Sequence, residues 1–473
     1  MLPMMAAALM TTACSSDDDS TSVSPKPAAD QTVKTIPYTV TVGQGTTTRA
    51  SVANDDVTLK FAAGDELYVE NKSANVYGRL ALKSGTGATS ATFSGDLKYT
   101  GDEPATDLML TATLVGADDK LAHVDGDKVM GFENYPTTVC ATMADAVAKY
   151  SKLTGSSTYG NANFALLQQT AFLKFKVKLE DGTKPGDNAV AVTIKDGNKT
   201  LGTGTTVASG TEQFVATYAE FVLPAADGTS ISTEAKMWVG SVGTPEDESI
   251  DLGNDNTLNA GYVYTVDKTK DFVRLWAGGP VWKSRNLDAS SVSDYGKYYA
   301  WGETTGYALS ESYNFSWTNY TYCNHSENYS TFKLTKYNTK TQWGTIDGKT
   351  TLESGDDAAT SNLGSPWHMP AMGDFTDLLA KTITSAWTTV NSVKGRTFTG
   401  NTTGYTGKAI FLPAAGRRLG TELDQEGMGC YYWSTALHTD DPRYGGILIF
   451  DSEHTGTTNY LRFRGRSVRP IRN

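Results

Sequence analysis

Hydrophobic residues in the first 270 positions of this chain recur at every second place. Ile36, Tyr38, Val40 and Val42 alternate with polar neighbours, and Val57, Leu59 and Phe61 do so again before a Gly64-Asp65 turn. A period of two turns one face of a pleated strand to a core and the other to water, so strands are predicted here and again around 67–69, 80–82 and 108–114. One stretch breaks the rhythm: across 141–153, Met143, Ala146, Val147 and Tyr150 share a helical face, which predicts a helix lying across a sheet or closing the first module. The cleanest strand follows, where Leu173, Phe175, Val177 and Leu179 alternate with Lys174, Lys176 and Lys178 up to Asp181-Gly182. Val190, Val192 and Ile194, then Met237, Val239 and Val242, and finally 258–266 supply further strands.

A short charged link over 267–271 ends this pattern. Beyond it, most of the nine tryptophans and a majority of the 24 tyrosines gather among long Gly, Asn and Thr loops, so a different kind of domain begins. Its one helix is predicted over 372–383, with Phe375, Leu378, Leu379 and Thr382 on one face and Pro370 just ahead. At the other end of the chain, a short apolar run closed by small residues leads to Cys14 and then to a Ser-Asp tract. That reads as a lipoprotein signal over 1–14, with Cys14 as the lipidated residue, and an acidic tether over 15–34. Two or more acyl chains hold a protein stably on a membrane, so the precursor is expected to be an anchored surface lipoprotein.

With 473 residues, about three modules are expected, placed at 35–155, 156–270 and 271–473. Net charge of −11 argues against nucleic acid as a partner, because neutralising phosphates takes a basic face. Cys140, Cys323 and Cys430 are too far apart in sequence to spell a zinc site or a disulfide framework, although a Cys323–Cys430 bridge stays open. The five histidines lack metal-ligand spacing, and 344–350 has too few residues between its glycines for a phosphate loop. No nucleophile elbow or zinc-protease motif occurs, so no cofactor, metal or catalytic residue is assigned. Asp356 and Asp357 are read as a helix N-terminal acidic turn ahead of a calcium loop. Arg462, Arg464, Arg466, Arg469 and Arg472 alternate around apolar residues. A solvated face or internal ion pairs is expected there, ahead of an anion site. Trp317, Tyr320, Tyr322 and Tyr329, interleaved with asparagines, are expected first of all to pack in loops or core, and exposed stacking on sugar rings is the second reading that makes them candidate ligand-binding residues.

Three segments of the first two modules resemble the fimbrillin family of Bacteroidetes pilus subunits: Thr48-Arg49-Ala50, the Phe61-Ala62-Ala63-Gly64-Asp65-Glu66-Leu67-Tyr68-Val69 run, and the closing Ala260-Gly261-Tyr262-Val263-Tyr264 strand. The Ser-Asp tract after Cys14 is similar to the signal that sends lipoproteins of that phylum to the outer face of the outer membrane. The last two hundred residues resemble the Fibrobacter major paralogous domain family. The matching blocks include Trp282-Lys283-Ser284-Arg285-Asn286-Leu287, Tyr298-Tyr299-Ala300-Trp301-Gly302-Glu303, His368-Met369-Pro370, Leu412-Pro413-Ala414-Ala415-Gly416 and Ser467-Val468-Arg469-Pro470. Where that family commonly has Arg before Met-Pro, this chain has His368.

Together the resemblances imply a mainly β protein of two transthyretin-like β-sandwich domains followed by an α+β C-type-lectin-like domain. They also imply a mechanism: cleavage after Arg49 removes the strand carrying Ile36, Tyr38, Val40 and Val42, and a fimbrial shaft subunit fills the groove by donor-strand addition. An ordinary exposed loop residue is the other reading of Arg49. The implied function is a non-catalytic pilus tip protein that presents its last domain to a host, microbial or glycan ligand. The alternative is a lipoprotein that stays anchored and captures polysaccharide.

Overall fold

The computed structural model describes residues 32–44, 60–180, 182, 189–209, 213–214, 217–242, 248–253 and 255–473. Cys14, Arg49, Val57, Leu59 and almost all of the expected tether lie outside them. The fold is mainly β, as expected from the alternating pattern. Among the described residues no helix is long and apolar enough to cross a membrane.

The first module begins with β1 (Val33–Gln44), β2 (Glu66–Asn71), β3 (Val76–Ser84), β4 (Ser90–Thr100) and β5 (Met109–Val115). A side hairpin of β6 (Ala122–Asp125) and β7 (Lys128–Phe132) and helix α1 (Met143–Tyr150) precede β8 (Leu153–Thr158) and β9 (Asn163–Gln168). The sheet closes on itself in the order β1-β4-β3-β2-β5-β8-β9, the last strand returning parallel to β1. Closure follows from burial: the inward residues Val40, Val42, Leu67, Val69, Leu80, Phe93 and Leu97 form one apolar core that an open sheet would leave wet. The boundary expected at 155 falls inside β8, and β9 is still part of the ring, so the first module runs on to Gln168. Chain pairing rather than hydrophobic spacing sets that limit.

Helix α1 starts at the Thr142 cap, whose hydroxyl accepts the Asp145 N–H at 3.1 Å. Its predicted face, Met143, Ala146, Val147 and Tyr150, rests on Phe172, Val222 and Val263 of the second module.

That second module comprises β10 (Thr170–Leu179), β11 (Ala189–Asp196), β12 (Lys199–Ser209), β13 (Thr217–Ala226), β14 (Thr229–Ile231), β15 (Ala235–Ser241), β16 (Ile250–Asp251), β17 (Asn256–Leu258) and β18 (Val263–Lys270). The main strands run β16-β15-β11-β12-β13-β10-β18. Strand β12 pairs with β11 as far as Val207 and with β13 only at Ala208 and Ser209, so one strand passes from the first layer of the sandwich to the second. Leu173, Phe175, Val177 and Leu179 face Val190, Val192, Ile194, Met237 and Val239 across the core, as their spacing predicts.

The head follows at once, with β19 (Phe272–Arg274) and β20 (Val281–Lys283), then a long run of turns before α2 (Ala358–Leu363) and α3 (Met372–Lys381). Short strands complete it: β21 (Thr382–Thr384), β22 (Thr388–Val390), β23 (Val393–Gly400), β24 (Ala409–Pro413), β25 (Arg417–Leu419), β26 (Glu422–Asp424), β27 (Gly429–Leu437), β28 (Tyr444–Asp451), β29 (Thr455–Leu461) and β30 (Ile471–Arg472). It is docked on the second sandwich by Arg472 to Glu248 at 2.9 Å and Phe214 against Phe411. Gly445 is required where β28 crosses Trp301, since a Cβ there would lie 2.7 Å from the indole.

Arg472, paired with Glu248, meets the expectation of an ion pair, whereas Arg462, Arg466 and Arg469 correct the expectation of a solvated or ion-paired face. Arg418, Arg462, Arg466 and Arg469 are fully buried. Arg462 donates to the Lys336, Tyr337 and Pro442 carbonyls and to the Tyr320 hydroxyl, and Arg469 to the Lys283 and Phe411 carbonyls and Asn286. Loops without a ladder leave carbonyls unpaired, and a guanidinium has the donors to reach several at once. The three described cysteines are free and buried. Cys323 donates to the Trp317 carbonyl and Cys430 to Pro413, so the open Cys323–Cys430 bridge is absent.

Candidate functional site

The head carries an open cleft of about 620 Å³ lined by Glu303, Thr304, Thr305, Tyr307, Tyr313, Thr318, Asn319, Thr321, Tyr322 and His325. Loop reversal after Trp301 brings its aromatic wall together. Tyr307 N–H and carbonyl pair with Tyr298, and the Tyr307 ring then stacks on Tyr313 with centroids 3.6 Å apart. The Tyr313 hydroxyl donates to the Asn319 carbonyl at 3.2 Å. Opposite these rings the Glu303 carboxylate, almost fully buried, accepts the Thr321 N–H at 2.8 Å. Burial pushes its carboxyl above the usual range, against the opposing pull of the Thr321 backbone and hydroxyl. Burial likewise raises the Tyr313 phenol, helped by the nearby Glu303 charge.

Of the four candidate stacking residues, Tyr322 alone lines this cleft. Its hydroxyl is committed to Asp356 at 2.8 Å. Trp317 and Tyr320 follow the packing reading and not the sugar-stacking one: they are 6% and 1% exposed and belong to a core cluster with Phe315, Phe332 and Phe463. The Tyr320 hydroxyl donates to the Trp301 carbonyl and accepts from Arg462, so an Asn-rich loop is pinned from within. Tyr329 is 59% exposed, yet outside the cleft and beneath the Arg443 guanidinium. Residue-by-residue reading missed Tyr307, Tyr313 and Glu303. The one available signal was a carboxylate inside the Trp301-Gly302-Glu303 block, beside two threonines.

The acidic pair behaves as a structural turn. Asp357 caps α2 by accepting the Thr360 N–H at 2.9 Å and also receives the Met369 N–H, while Asp356 holds Tyr322, Tyr337 and Lys336. Among the described residues no cluster of three or more metal-binding side chains occurs.

The expected removable strand is β1. It pairs antiparallel with β4 through eleven residue pairs, from Val33 opposite Thr100 to Gly43 opposite Ser90. With β9 it pairs over only four, Thr41 to Gln44. Tyr38, Val40 and Val42 point into the core, 7%, 1% and 0% exposed, and Ile36 is half-buried at its rim. The Tyr38 hydroxyl reaches the Tyr159 carbonyl at 3.0 Å.

No family model matches the chain, and no curated protein matches it. Solved structures similar to it include a candidate cell adhesion protein of Bacteroides uniformis, at 15% identity and a TM-score of 0.27 over 50% of this chain and 94% of that one. A fimbrial protein of Bacteroides ovatus gives 11% identity and a TM-score of 0.21 over 87% of this chain and 95% of that one. The fimbrial anchor protein Mfa2 of Porphyromonas gingivalis gives 12% identity and a TM-score of 0.24 over 46% and 83%. None reaches a TM-score of 0.5, and the account of fold and site rests on the chain's own residues.

Proposed function

We propose that this chain is a non-catalytic cell-surface fimbrial subunit that takes a donor strand into its first module and presents the head as an adhesive tip. The observation that carries the reading is the uneven seating of β1. Eleven pairs bind one flank and four the other, so β1 is laddered to β4 along its length but to β9 only at its end, and its departure would open a slot lined by apolar side chains. A foreign strand entering that slot would find backbone partners on β4 and pockets at every second position. Lipidation at Cys14 and cleavage after Arg49 complete the proposal, the lipid anchor leaving with β1. The head follows β18 directly where a strand for donation would otherwise come, which supports a place at the tip. Its cleft, with tyrosine rings beside hydroxyls, amides and one carboxylate, suits a sugar ring.

Limited digestion of the full chain with an arginine-specific protease tests the reading. The expected result is one cut after Arg49, after which a synthetic peptide matching the terminal strand of a co-encoded shaft subunit binds and the β1 segment is released. A chain that is cut but refuses the peptide, or resists the protease, would favour the anchored lipoprotein that captures polysaccharide. Glycan-array binding that is lost in Tyr313→Ala would assign the ligand to the cleft under either outcome, and binding that survives the substitution would remove the cleft from the proposal.

A further inference from the structure

The head holds a second cluster that neither its packing nor its cleft explains. Arg466 is fully buried, and its Nε, Nη1 and Nη2 have no hydrogen-bond partner among the described residues. Every other fully buried arginine of the head donates to carbonyl oxygens. Arg466 instead faces three rings, Tyr460 at 4.6 Å and Tyr431 and Trp433 at 4.9 Å, which attract the cation but offer no oxygen acceptor.

Two more guanidiniums share this place. Arg464, two residues earlier on the segment that leaves β29, is half-buried, makes no side-chain hydrogen bond or ion pair among the described residues, and has a buried Nε without a partner among them. Arg417 on β25 also lies over Tyr431 and Tyr460, at 5.0 and 5.8 Å. Its Nε and Nη2 hold the Asp424 carboxylate at 2.9 and 2.7 Å. The group thus holds three cations, and the one carboxylate paired with any of them, Asp424 on Arg417, is itself 46% exposed on the β25-β26 hairpin. All three lie against the Tyr460 ring, and burial first, then the Arg464 and Arg417 charges, push Arg466 down to about 9. Arg417 already holds one carboxylate oxygen, Asp424 Oδ2, through two of its nitrogens.

We propose that Arg417, Arg464 and Arg466 form a binding site for one oxyanion group, a carboxylate or sulfate of the kind acidic sugars carry. The anion enters from the side where Arg417 and Arg464 reach the surface. Arg464 takes it directly, Arg417 exchanges part of its hold on Asp424 for it, and Arg466 supplies fixed positive charge from behind the tyrosine rings. This site is separate from the cleft and does not depend on the pilus reading.

Titration calorimetry on the full chain, with sodium sulfate and sodium glucuronate as separate probes at constant ionic strength, tests it. Saturable binding of at least one probe is expected, sulfate alone indicating a sulfated source and glucuronate alone a uronate. Arg464→Gln should weaken it about tenfold or more. Asp424→Asn should tighten it several-fold by freeing Arg417, a gain that a damaged fold does not produce. Lys394→Gln, at an exposed position away from the cluster, should leave it unchanged. Absence of saturable binding to either probe, or binding indifferent to Arg464→Gln, would overturn the proposal.

Discussion

The ring at the N-terminal end and the head at the other solve the same problem with different chemistry. In the ring, most strands are laddered to a neighbour on both sides, so the interior needs only apolar side chains, and Val40, Val42, Leu67, Val69 and Leu80 supply them. In the head, much of the chain between β20 and α2 runs in turns, and its carbonyls find partners in the guanidiniums of Arg418 and Arg462, whose methylene stems and flat heads pack among tryptophans and tyrosines. How far a core is charged thus tracks how little of its backbone lies in a ladder.

Removing one such donor set should give the largest effect and confine it to the head. In Arg462→Met, three buried carbonyls and the Tyr320 hydroxyl lose a cationic partner at once. A loss on the order of 4 kcal/mol is expected. Eight of the nine tryptophans lie in the head and none in the ring, so denaturation followed by tryptophan fluorescence reads this loss, while amide exchange in β2–β5 stays as it was. Equal losses in both regions would break the comparison. The counterpart is Val40→Ala, which leaves a void in the core of the ring and should cost about 2 kcal/mol there. Amide exchange should quicken in β4 and β9, which flank β1, with the fluorescence transition unmoved.

The same contrast explains which parts could be read from sequence. The Leu173 to Leu179 alternation landed with each apolar side chain buried, and α1 and α3 turned their predicted faces inward, because period and burial are linked wherever an element is regular. Pairing partners were another matter: nothing in the spacing of Val40 and Val42 says that β9, more than a hundred residues on, closes the ring against them. In the head the alternation of Arg462, Arg464 and Arg466 reads alike for a wet strand and a buried one, since period fixes which residues share a face and not what covers that face. Trp317 and Tyr320 could be read two ways for a related reason: polar neighbours signal water only when their own bonding is unsatisfied, and here contacts to backbone carbonyls hold the loop closed around them. The cleft's stacked Tyr307 and Tyr313 are joined by an irregular loop that carries no periodic signal.

A smaller effect sharpens the picture within the head. Asp357 ties two segments together by capping α2 and receiving the Met369 N–H. Asp357→Ala should cost about 1–2 kcal/mol in the fluorescence transition, and Asp357→Asn should restore most of it, because the cap needs an oxygen acceptor rather than a charge.

The smallest effect distinguishes the two regions by sign. Asp356 in the head is disfavoured as an anion by burial, yet the Lys336 ammonium and the Tyr337 and Tyr322 hydroxyls outweigh that and hold its carboxyl below the usual range. Asp347 is held low in the same way, by the Asn338, Lys349 and Tyr337 N–H groups against burial. A carboxyl depressed on folding contributes stability that is complete above its unfolded value, near pH 4, and is lost as the pH falls through the folded value. In the ring, Asp65 and Asp119 are shifted the other way, burial prevailing over the backbone N–H groups of Ala62 for the first and of Ala122 and Leu121 for the second. Their ionised forms are penalised at neutral pH, and the penalty fades as the pH falls through their raised values towards 4. Glu303 is raised like the ring's pair and offsets part of the head's response above pH 4. Acidification from pH 7 to about 3 should therefore lower the head's unfolding transition relative to that of the ring, read by tryptophan fluorescence for the first and amide exchange in β2 and β5 for the second. Parallel shifts in the two would show that the carboxylates of ladder and loop answer to the same forces, and the contrast would then rest on the arginines alone.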